Sequence, residues 1–133
     1  MSLKNQIARL LGARTLWRVF FAASVLAIVY LATTSQTYTV QATFSDKFNH
    51  IIAFTELTIL VRLGWPRAHW LTAILLVMGL GLLIELVQAP LAHRHFSFMD
   101  LLADATGMAV GLLVSPWLKV LARRWAADKA DQR

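Results

Sequence analysis

Four apolar stretches separated by polar segments organise this chain. Residues 16–33 run Leu-Trp-Arg-Val-Phe-Phe-Ala-Ala-Ser-Val-Leu-Ala-Ile-Val-Tyr-Leu-Ala-Thr. A helix of that length covers ~27 Å, close to the hydrocarbon thickness of a bilayer. Residues 34–45, rich in Thr, Ser and Gln, read as a loop. Asp46 then suits the start of a second helix, 46–64, because a carboxylate is stabilised at a helix N-terminus. That stretch is the least apolar, carrying Asn49, His50, Glu56 and Arg62, and Gly64-Trp65-Pro66 ends it. Arg67 and His69 fall in a short turn. A third stretch, 70–89, is stopped by Pro90. A hairpin, 90–99, leads to the fourth, 100–121, with Pro116 near its far end.

The pattern predicts an all-α membrane protein, a four-transmembrane-helix bundle built from residues 16–121. Residues 1–15 are expected to be a short basic segment at the cytoplasmic surface and 122–133 a charged cytoplasmic tail. A basic start followed by an apolar run also suits a signal peptide, but no small-x-small cleavage site follows it, so an uncleaved anchor is expected.

Composition strengthens the membrane reading. Hydrophobic residues make up 58% of the 133 residues and charged residues 15%, where a soluble domain holds about 45–50% and about 25%. Cysteine is absent, which removes disulfides, thiol nucleophiles and thiolate metal ligands. The net charge of +6 is distributed unevenly. Of the 13 basic residues, all but Lys47 and Arg94 fall before or within the start of the first span, between the second and third, or after the fourth. The positive-inside rule then places both termini in the cytoplasm and two loops outside. No helix-turn-helix or RNA-binding signature accompanies the charge. The expected partners are membrane lipids, not nucleic acid.

That topology gathers the unusual residues. Asp46, Lys47, Asn49 and His50 open the second span. Glu85 and Gln88 close the third. Arg94, Ser97, Asp100 and Asp104 belong to the second outer loop and the start of the fourth span. Ionisable groups at membrane depth cost roughly 2.5–3.5 kcal/mol each on insertion scales and mark functional sites. Asp46 and His50 are four residues apart and share a helix face, and Glu85 and Gln88 are three apart. Asp100, Asp104, Gly107 and Gly111 form one stripe, and the glycines, with nearby Ser115, admit a close neighbouring helix. The result is an outward polar pocket above a tight apolar lower half. Glu56, near the midplane of the second span, is expected to face the interior as a protonated acid, and the five tryptophans near span ends read as an aromatic belt.

In this order the residues resemble a known family. Asp46-Lys47-x-x-His50-x-x-x-Phe54 is similar to the first signature of the VanZ-like membrane proteins. Glu85-x-x-Gln88 followed by Arg94-x-x-Ser97-x-x-Asp100-x-x-x-Asp104-x-x-Gly107-x-x-x-Gly111 is similar to the second. The resemblance covers roughly residues 16–120 and departs at Asp104, where the family pattern carries Asn. The family takes its name from a component linked to teicoplanin resistance. The resemblance implies a multi-pass protein of the bacterial cytoplasmic membrane with a role in the cell envelope, and it implies no particular molecular activity.

Three chemistries suit the pocket. As a binding site, Lys47 and Arg94 would hold a phosphate or carboxylate, and the acidic residues an amine or a divalent cation. Lys47, Glu85, Gln88, Arg94 and Ser97 are then the contacts for a lipid headgroup, a lipid-linked wall precursor or a lipoglycopeptide. As an enzyme, a hydrolase or transferase on a lipid-linked substrate, it would use His50 with Asp46 and a protonated Asp100 or Asp104 as general base and acid. No nucleophile elbow or H-E-x-x-H sequence is present. As a metal site, Asp46, His50, Glu85 and Asp104 offer oxygen and nitrogen donors for a divalent cation such as Zn²⁺ or Mn²⁺. Against all three stands a structural network in which Lys47 pairs with Asp100 or Glu85, Arg94 with another carboxylate, and His50 hydrogen-bonds within the set.

Overall fold

A computed structural model describes residues 3–34, 42–91 and 97–131. Helices α1 (Leu3–Gly12), α2 (Arg14–Thr33), α3 (Ala42–Gly64), α4 (Trp70–Gln88) and α5 (Phe98–Asp131) follow in order, and there is no strand among the described residues. Three helical segments are long and apolar enough to cross a membrane: α2, α4 and residues Phe98–Leu121 of α5. The stretch expected as the second span is fully helical, but α3, carrying Asp46, Lys47, Glu56 and Arg62, is not among the helices apolar enough to cross. The charged segment expected as a tail continues α5 as helix to Asp131.

α3 is the centre of the packing. It lies most extensively along α5 and also contacts α2 and α4. The apolar core joins Phe54 and Val61 of α3 to Ala73, Val77 and Ile84 of α4, with Phe21, Ile28 and Ala32 of α2 packed against it. The α3–α5 seam is built on the expected glycines. A Cβ on Gly107 would collide with the carbonyl oxygen of Ile51, and one on Gly111 would come within 2.6 Å of Thr58 Cβ. Thr55 Oγ1, which donates to Ile51 O at 2.7 Å, also reaches Gly107 O at 2.9 Å across the seam.

The burial pattern is inverted relative to a soluble protein. Thr58, Glu85, Gln88, Asp100, Asp104 and Ser115 are buried, while Leu26, Leu75, Leu113 and Trp117 are each at least 66% exposed. That arrangement suits an apolar solvent outside and a polar interior. Pro116 is tolerated inside α5. Its missing N–H frees the carbonyl of Leu112, and Ser115 Oγ lies 3.4 Å from that oxygen, positioned to donate to it.

At one end of the molecule cations close the helices. Arg18 Nε donates to Gly64 O at 3.0 Å, capping α3, and its guanidinium sits 5.2 Å from the centre of the Trp65 ring. Arg62 Nη1 donates to Ala68 O at 2.8 Å. His69 caps α4, its Nδ1 accepting from the Leu71 amide at 3.2 Å. α1 lies against α5.

Candidate functional site

The opposite end collects the start of α3, the end of α4 and the start of α5. The α5 start is defined by Ser97, whose Oγ accepts from the amide of Asp100 at 3.2 Å, the usual N-cap use of a serine. The Ser97 amide in turn donates to Glu85 Oε2 at 2.9 Å. Glu85 therefore fastens the end of α4 to the start of α5. With α5 registered by this clip and by the glycine seam, its two carboxylates meet α3. Lys47 Nζ lies 3.1 Å from Asp100 Oδ1, and His50 Nδ1 lies 2.7 Å from Asp104 Oδ1. Asp104 is 1% exposed. Its other oxygen packs over Gly81 of α4, where an added Cβ would approach to 2.6 Å. The His50 ring lies parallel to Phe54, with centroids 6.3 Å apart and planes inclined by 7°.

Asp46 is half-buried one turn before His50. Asp46, His50 and Asp100 can each present one ligand atom, and these atoms fall within 4.8 Å of one another. This group differs from the set expected for a metal. It includes Asp100 and not Glu85 or Asp104; Glu85 accepts from the Ser97 amide and Asp104 lies against His50 Nδ1. Gln88 is buried, and its Nε2 donates to Ala32 O of α2 at 2.8 Å, so it ties α4 to α2. Arg94, expected as an anion contact, lies outside the described residues, as do His93 and His95.

A cavity of about 380 Å³ opens beside this network. Asp46, Asn49, His50 and Gln88 line its polar part, and Ile28, Leu31, Ala53, Phe54 and Ile84 its apolar walls. The α2 wall escaped the sequence reading. α2 carries no charge beyond Arg18 and no acidic residue to single out Ile28 or Leu31, and only the packing turns them toward His50. Glu56 also departs from expectation. It lies not in the interior but exposed in a separate groove between α2 and α3, with one oxygen accepting from Ser24 Oγ at 2.9 Å.

An all-helical membrane protein with Asp46, Glu85, Asp100 and Asp104 gathered at one end, over a glycine-packed seam, is the class that these features define. The VanZ/LLP1 family model matches residues 2–119, and the chain belongs to that family. No curated protein matches it, and no solved structure does.

Proposed function

We propose that this protein is a four-span protein of the bacterial cytoplasmic membrane, with α3 as the fourth span, that binds the headgroup of an envelope amphiphile at its outer face. The observation that carries the reading is the cavity between α2, α3 and α4, polar at Asp46, Asn49, His50 and Gln88 and apolar along Ile28, Leu31 and Ile84. An amphiphile needs that pairing, an apolar wall for the chain and a few placed polar groups for the head. The charge of α3 is compatible with a span, because Lys47 is paired with Asp100, Arg62 is bonded to Ala68 and Glu56 accepts from Ser24. The distribution of Lys and Arg supports cytoplasmic termini and an outward pocket. The occupant is a phospholipid, a lipid-linked wall precursor or a lipoglycopeptide. An accessory role in resistance to antibiotics such as teicoplanin follows if the last is the ligand.

The experiment is native mass spectrometry of the detergent-released protein with envelope lipids, beside Ala53→Phe and Leu31→Trp, which fill the cavity and leave the charged network untouched. Retained lipid in the parent and its loss in both variants is the expected result. Equal retention in all three would overturn the assignment of the cavity.

A membrane-embedded hydrolase or transferase is the second reading, favoured by the His50–Asp104 pair. A carboxylate on one imidazole nitrogen orients the ring as a general base. Turnover of a bound lipid, abolished in Asp104→Asn with binding retained, would establish it.

A further inference from the structure

We propose that Asp46, His50 and Asp100 hold a divalent cation of the Zn²⁺ or Mn²⁺ class, whose open positions face the cavity and take the phosphate of a bound headgroup. The donor set is the first argument. One imidazole and two carboxylates from two helices converge within 4.8 Å, and three protein ligands of this kind leave room for an exogenous ligand. The second is the orientation of His50. Asp104 holds Nδ1 at 2.7 Å, so Nε2 is the nitrogen left to coordinate. A buried carboxylate behind an imidazole is the arrangement that fixes the ring of a metal-bound histidine. The parallel Phe54 ring restrains the imidazole plane.

The third observation is independent of the cluster. Glu85 is 1% exposed, and its Oε1 is buried with no hydrogen-bond partner among the described residues. Its other oxygen accepts from the Ser97 amide at the start of α5, the helix that carries Asp100 and Asp104. A carboxylate oxygen buried without a partner is costly unless a proton or a positive charge offsets it. Lys47 is bonded to Asp100. Asp46 and His50 both line the cavity, which gives the ion a route of entry. A bound ion would also explain how an acid-rich site takes an anionic headgroup. The phosphate ligand rests on the headgroup reading, and the ion site does not.

The test is titration of chelator-stripped, detergent-purified protein with Co²⁺ followed by its visible absorption, and with Mn²⁺ followed by electron paramagnetic resonance. The parent is expected to bind about one ion per chain at saturation. His50→Gln and Asp46→Asn should lose the signal. Asp104→Asn should weaken binding by about 10- to 100-fold through the orienting contact. Glu56→Gln, which removes a carboxylate elsewhere in α3, should bind as the parent does. Absence of saturable Co²⁺ and Mn²⁺ binding in the parent, or unaltered binding in His50→Gln, overturns the ion site. Addition of a phospholipid should shift the Co²⁺ bands, and bands that stay unmoved overturn the phosphate ligand. Lipid retained by the parent after chelation would overturn the coupling of the two while leaving the headgroup reading in place.

Discussion

The two ends of α3 use charge in opposite ways. At the Gly64 end the charged groups close helices. Arg18 caps the α3 carbonyls and lies over Trp65, and Arg62 reaches the carbonyl of Ala68. The helix ends account for both of these cations. At the Asp46 end two carboxylates meet side chains and a third meets a backbone amide. Lys47–Asp100 and His50–Asp104 bridge α3 to α5, and Glu85 clips α4 to α5. A surplus remains after those pairings: a Glu85 oxygen unpartnered among the described residues and a cavity beside His50. Helix closure explains Arg18 and Arg62 at the first end and explains the second end only in part, and the surplus carries the functional reading.

Breaking the seam between the two ends has the largest effect. Gly107→Leu forces a side chain into the Ile51 carbonyl, and overpacking of this kind costs about 3 kcal/mol. The folded fraction should fall sharply in a denaturant titration, and ion and lipid responses should disappear together, because the site is shared between α3 and α5.

The His50–Asp104 contact comes next. Removing either partner leaves a buried polar group unsatisfied, worth about 2 kcal/mol. A double-mutant cycle with His50→Ala and Asp104→Ala should return a coupling energy of about 1 kcal/mol or more. Additive losses would show that the contact does not join the helices.

Arg18→Ala probes the other end. Loss of its bond to Gly64 O and its place over Trp65 should cost about 1 kcal/mol, with ion and lipid responses unchanged. A lost response would erase the contrast between the ends. Glu56→Gln is the smallest change. Its acid is exposed in the groove away from the site, so stability should move by about 0.5 kcal/mol or less.

Much of this was legible in the sequence. The spacing of Asp100, Asp104, Gly107 and Gly111 set one buried face of α5, and the ion pair of Lys47 with Asp100 was among the expected pairings. Periodicity works within a helix because side-chain direction follows from position alone. It does not say which way two helices turn toward one another. That is why Glu56 was expected inside and is exposed, why the bond of Gln88 to Ala32 was not foreseen, and why α2 was not foreseen as a cavity wall. Continuation of α5 to Asp131 was obscured by the change from apolar to charged residues near Leu121, a change of surroundings rather than of backbone.

The most direct test of the central claim is thermal unfolding of the detergent-solubilised parent, His50→Gln and Arg18→Ala, each with and without a bacterial phospholipid extract. A ligand that binds the folded state raises the midpoint by mass action. The account predicts that lipid raises the parent and Arg18→Ala by the same increment, although Arg18→Ala starts lower, and leaves His50→Gln unmoved. A full increment in His50→Gln, or none in the parent, would contradict it and reduce the polar end to a clamp between helices.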